Sequence, residues 1–249
     1  MRAYIFSKRN GKEILRDPIN LFFGLGFPLI LMFLFSIINT AIPPEANNTM
    51  FETKRIAPGI AMFGTVFLAL FSGTLLAKDR TSSFLMRLFS SPMRSFDFIM
   101  GYTLPMILFA VVQSSITLIA ASFIGLPLTI NTFLAVFVLV PISILFVGVG
   151  LLCGSIMNDK AVGGICGALL TNIAGWFSGT WIPIDLIGGG FRTVSHFLPF
   201  FHAAETARLA IEGKYVDILP HLSIVLAYSL IVYGIAIFVF RYKMSSDRA

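Results

Sequence analysis

The places where charges are missing decide what this chain can be. Between its Lys, Arg, Asp and Glu residues lie long uncharged runs. There are 27 residues from Pro18 to Pro44, 22 between Arg55 and Lys78, 61 between Asp97 and Asp159, 24 between Lys160 and Asp185, and 23 between Asp217 and Arg241. About 20 apolar residues in a helix cross the hydrocarbon core of a bilayer. Each shorter run is one span. The longest is two, divided where Gly125-Leu126-Pro127 ends helices at little cost. Six spans are predicted, near residues 20–40, 57–77, 98–122, 132–156, 162–182 and 219–240. The expected fold class is all-α, a polytopic membrane bundle forming one domain over residues 1–249.

Composition agrees. Charged residues make up 12% of the chain, against roughly 25% in soluble domains, and the mean hydropathy is +0.88. The net charge of +6 therefore reads as a topology signal, not as a nucleic-acid surface. Six spans place both termini on one side. With the termini inside, 13 of the 18 Lys and Arg residues fall in inner segments and 5 in outer ones. The positive-inside rule then makes the termini and the Lys78–Asp97 loop cytoplasmic. A first apolar run of spanning length, behind a charged N-terminus, is not the short core of a cleaved leader.

Three segments lie outside the spans. Residues 1–17 are expected to form an interfacial amphipathic helix. Lys8, Arg9, Lys12, Glu13 and Arg16 lie on one side, and Tyr4, Phe6, Ile14 and Leu15 on the other; Arg16-Asp17-Pro18 turns the chain into the first span. Residues 78–97 form a charged island. On a helix, Phe84, Leu85, Leu88 and Phe89 fall on one side, and Arg87, Ser90, Ser91 and Arg94 towards the other. Residues 183–218 form a semi-apolar outer segment. It has a break at Gly188-Gly189-Gly190 and a short helix over Phe200–Glu212, with Glu205 and Arg208 spaced i,i+3 as an ion pair. Too charged to span and too apolar to be a free loop, this segment is expected to dip into the outer leaflet.

Sites of chemistry are scarce. The sequence has no GxxxxGK[ST] phosphate loop, no GxSxG elbow and no HExxH. His202 and Glu205 are too few ligands for zinc, and Cys153 and Cys166 read as buried thiols without a structural disulfide. The predicted span cores hold essentially no charge, which argues against an ion-coupled carrier. Mild polar residues do lie at depth: Gln113, Ser114, Ser115 and Thr117 in the third span, Thr171 and Asn172 in the fifth. They are candidates either for a substrate path or for interhelical hydrogen bonds. Gly150-xxx-Gly154, Gly163-xxx-Gly167 and Gly175-xxx-Gly179 permit close helix approach, within the bundle or at a subunit interface. Trp176 and Trp181 are expected as interfacial aromatics.

The order of features resembles the ABC-2 type family of ATP-binding-cassette exporter permeases over nearly the whole chain. Leu15-Arg16-Asp17-Pro18 precedes Phe22-Phe23 and Phe27-Pro28-Leu29. Asp79-Arg80, Arg87-Leu88, Ser91-Pro92, Arg94 and Asp97-Phe98-Ile99 lead to Gly101. Leu198-Pro199 is followed by Arg208. Ser82-Ser83 replaces the Gly-Thr that members often show, and Phe200-Phe201-His202 stands where a Tyr is common.

The resemblance implies a permease subunit that forms a homo- or heterodimer and binds separate cytoplasmic ATPase subunits, which hold the ATP and magnesium. It implies no cofactor and no catalytic residue in this chain itself. The N-terminal helix and the loop after the second span would contact those ATPases, and the second and fifth spans would meet across the dimer. The expected coupling residues are Lys8, Lys12 and Arg16 with Arg80, Phe84, Leu85, Arg87, Leu88 and Arg94. Gly163, Gly167, Gly175 and Gly179 are the expected packing glycines. The expected cargo is hydrophobic or amphipathic: a drug, antibiotic, lipid or peptide. The expected location is a bacterial plasma membrane. The alternative is a membrane scaffold or assembly subunit that moves nothing.

Overall fold

The computed structural model describes residues 2–43, 52–82, 84 and 95–246. Among them there is no strand. The helices are α1 (Arg2–Arg16), α2 (Pro18–Ala41), α3 (Thr53–Thr81), α4 (Ser95–Ser122), α5 (Ile130–Ile156), α6 (residues 159–177), the short α7 (Ile184–Ile187) and α8 (Gly189–Phe197), α9 (Pro199–Glu212) and α10 (Tyr215–Ser246). The chain runs up and down, so one end of the bundle carries α1 and the α3–α4 connection, and the other carries α7–α9.

Local chemistry explains the joints. Asp17 accepts a hydrogen bond from the Ile19 amide at 3.0 Å, and Pro18 takes the first turn of α2, where its missing N–H is not needed. The α4–α5 break falls where the sequence placed it, with Gly125 at φ 104°. Thr129 and Thr132 then form a reciprocal cap at the start of α5. α9 ends at Gly213, in the left-handed conformation with φ 75°.

Among the described residues, five helices are long and apolar enough to cross a membrane: α2, α3, α4, α5 and α10. The fifth expected span, 162–182, is not among them. In its place α6 runs from Asp159–Val162 through a π-helical stretch, Gly163–Leu169, into Leu170–Phe177, and the chain then turns. Paired glycines, Asn172 and the charged start Asp159-Lys160 dilute its apolar character.

α3 is the axis. In its most apolar stretch 83% of residues are buried, against 17% in α2 and in α10. The peripheral helices turn Phe33, Ile37, Leu230 and Phe238 outward, as lipid-facing surfaces do. α3 and α5 meet through glycine. A Cβ on Gly73 would lie 2.8 Å from the Gly150 carbonyl oxygen, and one on Gly154 would strike Gly73. Ser72 donates to Leu68 O at 2.7 Å and to Val147 O at 3.3 Å across the same seam.

Candidate functional site

α1 has three sectors. Phe6, Asn10 and Ile14 are buried against the bundle, Tyr4 and Leu15 stand exposed beside them, and Lys8, Lys12 and Arg16 form an exposed basic row. Phe6 and Ile14, expected on the same lipid side as Tyr4 and Leu15, turn instead into the core. The Phe6 ring lies edge-on to Tyr102 with centroids 5.0 Å apart, and to Phe98 at 5.9 Å. Gly101 is required under that ring, because any Cβ there would strike it.

Beneath α1 lies a buried charge. Asp79, 4% exposed, follows Lys78 just beyond the apolar run of α3. Arg9 donates to its Oδ2 at 2.6 Å, and the Tyr102 hydroxyl donates to the same oxygen at 2.8 Å. Arg9 also donates to Asn10 Oδ1 at 2.9 Å, and its Cζ sits 4.4 Å from the centroid of the Phe84 ring. Asn10 in turn donates to the Gly101 carbonyl at 3.0 Å. One cluster therefore ties α1, the end of α3 and the start of α4 together. A buried carboxylate is tolerated because it is charge-paired and hydrogen-bonded.

Of the expected coupling residues, Leu85, Arg87, Leu88 and Arg94 lie outside the described residues. Phe84 packs partly buried against the core. Arg80 turns inward and donates to the carbonyls of Ser155 and, at 2.8 Å, Met157, which places a cation on the carbonyl end of α5. Sequence reasoning passed over Asn10 and Tyr102, and read Asp79 only as part of the charged island and of the Asp79-Arg80 pair, not as a buried partner of Arg9. The available signal was that Asp79 is the one acidic residue between Glu52 and Asp97.

The polar residues at depth are mostly engaged in their own helices. Ser114 donates to Ala110 O, Thr117 to Gln113 O, Thr171 to Gly167 O and Asn172 to Ala168 O. Gln113 reaches across to another helix, to Ala61 O at 3.4 Å, and its Oε1 is buried without a partner among the described residues. Asn172 is exposed on the outer surface of α6. Three of the four expected packing glycines meet groups of this chain. Gly167 faces Leu70, Gly175 lies under Trp181, and Gly179 turns at φ 66° against Ile184, whereas Gly163 faces open space. Trp181 is tucked inward, stacked on Phe35 at 5.4 Å and edge-on to Phe63 at 4.9 Å, so only Trp176 stands exposed like an interfacial aromatic. Cys153 and Cys166 are free thiols, and no group of three or more metal-ligating side chains occurs among the described residues.

At the opposite end α9 forms as expected, with Arg208 and Glu205 paired at 3.2 Å. Arg208 is 7% exposed and also donates to Gly179 O at 2.9 Å and Ser178 O at 3.5 Å, fastening the α6–α7 turn to α9. Burial pushes its guanidinium below the ordinary arginine range, and Glu205 opposes that shift. Nearby, His202 Nδ1 and His221 Nδ1 are 2.8 Å apart, and His202 Nε2 lies 2.8 Å from the His196 carbonyl. Because the carbonyl only accepts, Nε2 must donate. In the neutral pair, His221 Nδ1–H then donates to His202, linking α10 to α9.

A family model described as the ABC-2 type transporter matches residues 2–211. The chain belongs to the ABC-2 type transporter family. The match takes in α1 and most of α9, and stops short of α10. The comparison with curated proteins returns no match. Members of the ABC-2 family are the membrane-spanning component of ABC transporters and generally work with ATPase subunits. The chain is thus a multi-pass membrane protein of a transport system, and the Asp79 cluster is its candidate coupling site.

Proposed function

We propose that this chain is the permease subunit of an ATP-driven exporter, with α1 and the α3–α4 connection as the handle on which a separate ATPase acts. The observation that carries this reading is the Arg9–Asp79–Tyr102 cluster. It makes α1, the end of α3 and the start of α4 one unit, so a push on either exposed part reaches α3, the axis of the bundle. ATP and magnesium belong to the partner, and the chain works as a homo- or heterodimer. Asn172 supports the dimer, since a polar side chain on the outer face of an apolar helix is costly in lipid. In this reading α6 completes a sixth crossing through protein contacts, and the excess of Lys and Arg places the α1 end in the cytoplasm. Arg16, Arg87 and Arg94 meet the ATPase, while Arg80 transmits through the end of α5. The cargo is hydrophobic or amphipathic and leaves towards the outer leaflet.

Affinity purification from mild detergent, followed by an ATPase assay, tests the reading. A stoichiometric ATPase is expected with the unsubstituted chain, and it should be lost or uncoupled by Arg87→Glu at unchanged membrane insertion. Normal coupled activity in that variant would remove Arg87 from the contact. Absence of any ATPase would favour a scaffold.

A further inference from the structure

Between α1, α2 and α4 runs a groove of about 170 Å³ lined by Gly11, Ile14, Leu15, Leu25, Pro105 and Leu108, continuing over Phe109 and Val112. Every side chain in it is apolar. It opens sideways to the surroundings of the bundle: Leu15 is 61% exposed and Leu108 67% exposed. Gly11 forms its floor, where a Cβ would already touch Pro105 at 3.5 Å.

The basic row of α1 borders this groove. Lys8 and Gly11, and Lys12 and Leu15, are i,i+3 neighbours on one helical surface. Both lysines are exposed, and neither has an ion-pair partner among the described residues. Arg9, one position away, is spent on Asp79, and Arg16 lies further round the helix. Two exposed lysines therefore border an apolar trough that opens to the outside of the bundle. That combination complements a molecule with an anionic head and a hydrocarbon tail.

We propose that this groove is a binding site for one anionic phospholipid, its phosphate held between Lys8 and Lys12 and its acyl chain lying along Pro105, Leu108 and Val112. The site divides the basic row by role: the two lysines nearest the groove serve the lipid, leaving Arg16 for the partner ATPase. Only that division rests on the proposed function. The lipid site itself does not.

The test reads lipid occupancy and needs neither ATPase nor cargo. A Leu108→Trp reporter is placed in the full chain in nanodiscs, and its quenching by brominated phosphatidylglycerol is compared with that by brominated phosphatidylcholine. The quenching of the native Trp176 and Trp181 is subtracted. Phosphatidylglycerol is expected to quench at a lower mole fraction, by roughly fivefold for one engaged lysine and about 25-fold for both. Lys8→Gln with Lys12→Gln should erase the preference without unfolding the protein. A Leu230→Trp reporter on the lipid-facing side of α10 should show no preference. Equal quenching by the two lipids at Leu108, an equal preference at Leu230, or a preference that survives the double lysine change would each overturn the site. So would a reporter that no lipid quenches, because protein would then cover the groove.

Discussion

The bundle is fastened at its two ends by opposite charges, and the two fastenings differ in kind. At the α1 end the charge is Asp79, on α3 itself. It is matched by a full countercharge from Arg9, 70 positions away in the chain, and by the Tyr102 hydroxyl. At the α9 end the charge is Arg208, which packs beside α3. Its carboxylate partner is one turn back on its own helix, its other bonds go to neutral carbonyls, and its Nε has no partner among the described residues. The first fastening joins three distant segments and loses them together if either partner goes. The second orients a turn through neutral carbonyls, which carry no charge to be stranded if Arg208 is lost. The lesson is that the α1 end is constructed to move as a piece, and the α9 end to give way locally.

The comparison can be broken most directly at Asp79. Asp79→Ala leaves Arg9 and Tyr102 without their acceptor and should lower stability by about 3 kcal/mol, at the low end for a broken buried pair because Arg9 is partly exposed. Thermal unfolding in detergent reads this. A loss no larger than that of a surface charge change would abolish the distinction between the two ends. Arg208→Met should cost less, about 1–2 kcal/mol, because neutral carbonyls and one partly exposed carboxylate are what it leaves behind. Hydrogen exchange should quicken across residues 178–187 while α3 stays protected. If exchange rises along α3 as well, the α9 end is no more local than the other. The smallest effect is expected for Lys78→Ala. Its contact with Asp17 is long, at 3.9 Å, and solvent-exposed, so a change of about 0.5 kcal/mol or less should follow. A larger value would mean that the elbow between α1 and α2 belongs to the same unit as Asp79.

Much of this architecture was legible in the order of charges. The apolar runs became helices, Gly125 and Pro127 marked the break, and Glu205 with Arg208 announced α9. These features are local, and the spacing of a few residues decides them. What stayed hidden depends on distant partners. Arg9 looked like one more member of a surface row, because nothing within a turn of it shows that Asp79 will be near. Trp181 had the address of an interfacial aromatic, yet Gly175, Phe35 and Phe63 leave room to draw it inside. The fifth run had the length of a span, but glycines and polar residues made it a helix with a π-helical stretch that composition alone does not mark as membrane-crossing.

The glycine seam between α3 and α5 has a mechanical consequence. Main chain pressed on main chain leaves no side chain at Gly73, Gly150 or Gly154 to swing aside and let one rod slip past the other. The pair behaves as a keel: it can tilt, but it cannot shear. Any passage this protein opens must therefore part along a line on which side chains, not backbones, are in contact.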